Sequence, residues 1–244
     1  MKRDRLTVAV AVVASLAAAD PAAAQDAVAG VDLSGGDEGA FVRLLLLFAS
    51  VSLAPALLAV LTSFARIMVV LLFLRAGIGA QEIPPTYVLI GLAILITVVA
   101  MLPTLEALWD DAAGPLMAGE IDVTVAAERA EEPLRTSMAR QVRPTDLMLM
   151  ADLAAAEPPE TAADAPMSVL AAAFAISELR AAFLIGFVIF LPFVIIDLVV
   201  GSTLASVGMI TLPAPILSLP FKILLFVMVD GWALLTEALV STIA

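Results

Sequence analysis

The sequence predicts an all-α membrane protein: about four nominal transmembrane helices, broken by Pro and Gly and arranged as helical hairpins, around a polar acidic insert. Three observations carry this. Of 244 residues, 62% are hydrophobic, above the roughly 45–50% of soluble domains. The mean hydropathy is +1.09. The apolar residues are gathered into long stretches on both sides of one polar segment.

Residues 1–24 read as a cleaved signal peptide. A basic start (Lys2, Arg3, Arg5) is followed by an apolar run from Leu6 to Ala19, which ends at Asp20-Pro21 and is shorter than the ~18 residues of a span. Ala22-Ala23-Ala24 supplies the small-residue pattern, so cleavage falls between Ala24 and Gln25. A short first span is the alternative. Residues 25–43 are polar and Gly-rich and form a flexible N-terminus.

Residues 44–105 hold the N-terminal hydrophobic helices, with apolar stretches at Leu44–Leu61, Ile67–Leu74 and Tyr87–Leu105. Residues 106–166 form the insert, with 13 acidic and 4 basic side chains. Its last part, EPPETAADAP, suits an extended linker more than a packed element. Residues 167–244 hold the C-terminal hydrophobic helices, with stretches at Ala181–Val200, Thr203–Leu219 and Phe221–Ile243. Pro55, Pro84-Pro85, Pro103, Pro192, Pro213, Pro215 and Pro220 mark breaks or bends.

Short cytoplasmic loops collect Lys and Arg. That places Arg66 and Arg75 inside, exports the insert to the periplasm, turns the chain inside again around Gly201–Pro220 and returns the C-terminus outside.

The net charge of −12 and the absence of a basic stripe exclude a nucleic-acid partner. With no Cys and no His, disulfides, thiol chemistry, histidine metal sites and Ser-His catalysis are excluded together. No catalytic, cofactor-binding or metal residue is expected, and the protein is not read as an enzyme.

What remains is a set of charges embedded in apolar sequence: Glu178, Arg180, Asp197, Lys222 and Asp230. Such residues are costly in lipid and usually face protein or water. Glu178 and Arg180 are two apart and point to opposite sides of a helix. Lys222 and Asp230 lie about 12 Å apart along a helix and about 80° apart around it. Neither pair is able to form within one helix. Each charge needs a partner on another helix or another copy of the chain. The bland reading is that Lys222 snorkels from a helix end and Glu178 sits at an interface. An intramembrane protease lacks its residues here. An ion-coupled transporter would use the embedded charges as a path, although four broken spans are few for a two-repeat carrier. A secretion pore built from several subunits accommodates broken helices and unpaired charges.

The segments SFARIMVVLLFLRAGIGAQEIPPTYVLIGLAILIT (63–97), FAISELRAAFLIGFVIFLPFVIIDLVVGSTLASVGM (174–209) and LSLPFKILLFVMVDGW (217–232) resemble the FliP family of flagellar biosynthetic proteins, which includes the equivalent subunit of virulence type III secretion systems. The resemblance implies a subunit of a bacterial protein-export gate in the inner (cytoplasmic) membrane at the flagellar basal body. It implies a pentameric ring that joins FliQ and FliR beside FlhA and FlhB, with unfolded flagellar proteins passing through its centre and no cofactor. The signal peptide and long insert favour the flagellar branch. Glu178, Lys222, Asp197 and Asp230 fall in the SEL, PFK, ID and VDGW motifs, and the resemblance makes them subunit-contact charges with partners on neighbouring subunits. Many relatives carry consecutive methionines after the glycine of MGM, where this chain reads Gly208-Met209-Ile210-Thr211. A gate constriction at Met209 and Ile210 is the expectation, with ordinary helix packing as its competitor.

Overall fold

The structure, a computed structural model, describes residues 59–80, 83–209 and 212–243, and all its regular elements are helical. The signal peptide with Ala24 and Gln25, residues 25–43, most of the Leu44–Leu61 stretch, Pro55 and Ile210 lie outside the described residues.

Helix α1 (Phe64–Ile78) ends at Gly79, whose φ of 77° closes the last turn, and the turn to α2 (Thr86–Ala100) runs through Pro84 and Pro85. Pro85 caps α2 because its missing N–H would be unsatisfied there. Beyond Met101 the chain bends by 75° into α3 (Leu102–Leu108), a π-turn (Trp109–Ala113) and α4 (Gly114–Met117), with Pro103 in the first turn of α3. The rest of the insert is α5 (Val123–Gln141), α6 (Pro144–Leu153) and a 3-10 turn (Ala162–Asp164).

Helix α7 (Met167–Ser206) has 40 residues and is about 60 Å long, roughly twice the hydrocarbon core of a bilayer. It carries the Ala181–Val200 stretch and extends well past both ends of it. Helix α8 (Ala214–Met228) and α9 (Gly231–Ser241) follow, bent 62° at Asp230. Among the described residues α7 alone is long and apolar enough to span a membrane, and the α2–α4 and α8–α9 arms qualify if each bent arm is one span.

Three expectations are corrected here. Thr203–Leu219 is not one helical stretch: α7 runs to Ser206 and α8 begins at Ala214, with Pro213 at its cap and Pro215 in its first turn. The helices run through Pro192 and Pro220 without a break, since a proline inside helices packed on one another loses one backbone bond but not its neighbours' contacts. The Pro-rich end of the insert is extended and mostly exposed only to Thr161; after that Ala165 is buried against α7. Arg135 Nη1 donates to the carbonyls of Ala163 and Ala165 and clamps this stretch in place.

Helices α1 and α7 lie side by side and run in the same direction: Arg66 meets Glu178, Phe73 covers Gly186, and Phe193 covers Gly77. The α1–α2 hairpin therefore stands against the α7–α8–α9 hairpin, and one apolar core fills the space between them. Ile67, Val70, Leu71 and Leu74 of α1 meet Leu89, Ala93 and Ile96 of α2, Ala182 and Phe193 of α7, and Leu235 and Leu239 of α9. A second core joins the insert to the start of α7, where Met138, Leu147 and Ala151 pack on Leu170, Ala173 and Phe174. The molecule thus has an insert end and a hairpin-tip end.

Candidate functional site: two charge clusters and a hairpin tip

At the insert end, α1 presents Arg66 to Glu178 of α7, with both side chains buried. Arg66 Nη1 donates to the Thr242 carbonyl at 3.1 Å, which ties the end of α9 into the same node. Ser63, fully buried, donates to Gln141 of α5 at 3.2 Å. Arg66 Nε and Glu178 Oε2 are buried with no hydrogen-bond partner among the described residues. One turn away, Arg180 Nη2 donates to Asp146 Oδ1 at 2.9 Å, and Ser177 Oγ donates to Asp146 Oδ2 at 2.9 Å while accepting the Arg143 N–H at 3.0 Å. Asp146 is buried, and each of its carboxylate oxygens accepts one bond from α7, Oδ1 from Arg180 and Oδ2 from Ser177. These bonds lock α6 of the insert onto α7.

At the tip end, Lys222 Nζ donates to Asp197 Oδ2 at 2.6 Å, and Ser218 Oγ donates to Asp197 Oδ1. Lys222 is 2% exposed, so it is no snorkelling residue; its ammonium lies against the end of α1, 3.4 Å from where a Cβ on Gly79 would stand. Gly79 therefore has two constraints: its left-handed φ, and the space Lys222 fills. The α1 carbonyl end, with its negative partial charge, also favours a cation there.

Glu178 and Lys222, expected to meet charges of neighbouring subunits, each have a partner already inside the chain. The parallel packing of α1 and α7 brings Arg66 to Glu178, and the α7–α8 turn brings Lys222 back to Asp197. The opposite-side reading of Glu178 and Arg180 holds, as they turn to α1 and to α6. Asp230 differs from the other three: it is exposed, in the left-handed region at φ 49°, and its side chain caps no helix.

Met209 sits at the hairpin tip. Gly208, at φ 81°, donates its N–H to the Ala205 carbonyl, and Met209 donates its N–H to the Leu204 carbonyl, the paired bonds of a Schellman motif. The motif ends α7 and holds the Met209 backbone while leaving its side chain 45% exposed. Arg66, Asp146, Gly79 and Gly208 are the site residues that the sequence reading did not single out as such. Arg66 stood in an apolar stretch but served only as an orientation signal, and Asp146 was one acid among many. The glycines carried the clearest signal, each just past an apolar helix.

In the insert, Asp122 caps α5 by accepting the N–H groups of Thr124 and Val125 and the Thr124 hydroxyl. The Thr124 hydroxyl, followed by the Val125 N–H, holds the Asp122 carboxyl below its ordinary value.

Two helical hairpins locked at one end by an Arg–Glu node and at the other by a Lys–Asp pair, with an acidic helical insert beside the first, define a helical membrane protein built to present a hairpin tip and a broad apolar surface. The model of the FliP family matches residues 47–239. The chain is 47% identical over 201 residues to the flagellar biosynthetic protein FliP of Bacillus subtilis (strain 168), covering 82% of this chain and 91% of that one. It is 43% identical over 237 residues to the FliP of Caulobacter vibrioides, covering 96% and 89%, and 40% identical over 215 residues to that of Borreliella burgdorferi, covering 86% and 85%. The chain belongs to the FliP family.

Proposed function

We propose that the protein is a subunit of the export gate of the flagellar type III secretion apparatus. It forms a homo-oligomeric ring, pentameric as the family implies, with FliQ and FliR beside FlhA and FlhB homologues, and unfolded flagellar proteins pass through it. The observation that carries this reading is the family match over nearly the whole described fold. The transporter alternative has less support, because the embedded ions Glu178, Asp197 and Lys222 are paired in two separate clusters with an apolar core between them.

The ring stands in the inner membrane with the insert in the periplasm. In support, the insert and the end of α9 share one end of the fold, while Arg75, Gly79 and Met209 share the other; Arg66, expected inside together with Arg75, stands instead at the insert end, which corrects its use as an orientation signal. Met209, with Ile210 beside it, forms the constriction. A collar of apolar side chains closes by excluding water, and an unbranched thioether yields to passing chains without a specific fit.

Native mass measurement of the detergent-solubilised chain, alone and with its FliQ and FliR partners, tests the reading. A closed homo-oligomer is expected with the partners. A monomer in both cases refutes the ring, and a chain that fails to restore motility to a strain lacking its own copy refutes the export role.

A further inference from the structure

The turn between α1 and α2 holds an open cleft of about 860 Å3, within the roughly 300–1,000 Å3 of small-molecule sites. Its walls are of two kinds. Leu72 and Ala76 of α1 and Ala80 beyond it are apolar, while Arg75, Thr86 and Tyr87 supply the polar groups. Arg75 is held by one nitrogen: Nη1 donates to Thr86 Oγ1 at 2.9 Å and to the Pro84 carbonyl at 3.5 Å. Its Nη2 and Nε have no acceptor among the described residues, so the guanidinium is pinned in place and keeps one whole edge open. Two N–H groups on one edge are the geometry that grips two oxygens of a single phosphate. The other described cations outside the insert, Arg66, Arg180 and Lys222, each face a carboxylate of their own chain.

An apolar track leads away from this cation. Tyr87, Gly91, Leu95 and Val99 follow one another at four-residue spacing along α2, and all four are exposed. A Cβ on Gly91 would meet nothing within 4 Å, which leaves a notch halfway along. From Tyr87 to Val99 the helix rises about 18 Å, slightly more than the roughly 15 Å of hydrocarbon in one leaflet. Tyr87 is the chain's one tyrosine and is 75% exposed, with its ring between the cation and the track, as interfacial aromatic residues stand between headgroup and hydrocarbon. A free phosphate would satisfy Arg75 and leave the track in water. A ligand with a phosphate at one end and an acyl chain at the other satisfies both.

We infer that the α1–α2 cleft binds an anionic glycerophospholipid, with its phosphate on the open edge of Arg75 and an acyl chain along the Gly91 side of α2. The inference rests on the reading that this end of the fold stands at the cytoplasmic face of the membrane, where anionic headgroups attract Arg and Lys, and it adds a ligand to that reading. The bond to Thr86 sets the guanidinium before the lipid arrives, so little side-chain freedom is lost on binding.

Native mass spectrometry of the full chain in detergent, given phosphatidylglycerol, phosphatidylcholine or glycerol phosphate in turn, tests this. Retention of phosphatidylglycerol in preference to the other two is expected. Arg75→Gln should lower that retention by about tenfold or more, the loss of one charge-assisted contact. Arg75→Lys, which keeps the charge and loses the fork, should recover part of it, and a merely misfolded chain would not. Leu95→Glu, on the track and away from the cleft, should also lower it, while Arg129→Gln, on the exposed side of the insert, should leave it unchanged. Equal retention of phosphatidylcholine, equal binding of glycerol phosphate, or undiminished retention in Arg75→Gln overturns the inference. Retention that appears only in Glu82→Gln overturns it too, because that carboxylate, which lies outside the described residues, would then be what fills the fork. So does loss of the lipid when chains close into a ring, since a second copy would then be the occupant. Phosphatidylglycerol retained as expected by a chain that does not restore motility would leave the lipid site standing and remove the export reading instead.

Discussion

Gly91→Ala and Gly186→Ala make the same change in two helix interiors and should move stability in opposite directions. Alanine gains about 1 kcal/mol over glycine in a helix interior from backbone entropy alone. At Gly91, on the exposed side of α2, a Cβ meets nothing within 4 Å, so that gain should appear undiminished. At Gly186 an ideal Cβ would stand 2.5 Å from Phe73 Cδ2, 2.7 Å from Cγ and 3.0 Å from Cβ. The Phe73 ring has little freedom to swing away, because it packs edge-on against Phe183 at 5.5 Å and Phe190 at 6.3 Å. Helices α1 and α7 have to part instead, and overpacking of this kind costs about 1–3 kcal/mol. Set against the propensity gain, Gly186→Ala should come out between neutral and about 2 kcal/mol destabilising. With about 2–4 °C per kcal/mol for a chain of this size, thermal unfolding in detergent should shift up by about 2–4 °C for Gly91→Ala and down by as much as about 8 °C for Gly186→Ala. Phe73→Leu should restore part of the loss, and the double-mutant cycle should give a coupling of about 1–3 kcal/mol. Shifts of the same sign, or a coupling within about 0.5 kcal/mol of zero, would refute the interlocked packing of the two hairpins.

Glu178→Ala should cost about 3–5 kcal/mol, because it strands Arg66 in the core, whereas the double change Arg66→Met with Glu178→Met should recover most of that; denaturant titration of both variants decides, and equal damage in the two would show that the pair is not the source. The Asp122 cap has a folded pKa depressed by Thr124 and Val125, so its contribution is present above the ordinary value of 3.8 and is lost as pH falls below it. Amide exchange at Thr124 and Val125 should therefore accelerate in that acid window, and Asp122→Asn should remove the acceleration; an unchanged profile in the variant would place the acid sensitivity elsewhere. Deleting residues 158–160, in the extended run, should leave assembly and motility intact since loop closure depends weakly on length, whereas Arg135→Ala should loosen the clamp on Ala163 and Ala165 and expose the start of α7 to protease. Equal protease resistance in Arg135→Ala and the parent chain would refute the clamp.

Much of the hairpin arrangement was legible because it depends on local chemistry: the apolar stretches, the Pro84-Pro85 turn and the Pro213 and Pro215 start of α8. The pairing of charges was legible only as a set of exclusions. Helical geometry correctly separated Glu178 from Arg180 and Lys222 from Asp230. It had no means of naming Arg66, which lies 112 residues from Glu178, or Asp146, which lies 34 from Arg180. Those partners follow from α1 and α7 packing in parallel, a tertiary fact with no local signature. The insert misled for a different reason. Its charge suggested solvation throughout, yet its inner faces carry Met138, Leu147 and Ala165, too few and too scattered for the 3.6-residue period to stand out.

The two clusters divide the chain into parts with different freedom. From Arg180 to Asp197, α7 rises about 26 Å with α1 packed against it and a polar bond near each end. The Phe73–Gly186 and Phe193–Gly77 contacts fill the interval, so this section and the insert locked to it by Asp146 behave as one rigid block. Past Asp197 the support changes. Helix α1 has already ended at Gly79, while α7 continues for about 14 Å to Ser206 and carries the tip with it. Along that extension Leu198, Val199, Val207, Met209, Leu212 and Ile216 are all 40–72% exposed, and the contacts that remain are those between the two arms of the hairpin, such as Gly201 against Ala214. The hydroxyls of Ser202, Thr203 and Ser206 turn back to carbonyls of their own helix, so they tie the tip to nothing else. A tip that the described residues of its own chain do not brace takes its position from whatever packs beside it. In a ring, that neighbour is the next tip, so an apolar closure at Met209 would be a property of the assembly and not of the subunit. The Lys222–Asp197 pair is then the fulcrum: it fixes where the braced section ends, and Gly79 is the residue that lets it sit there.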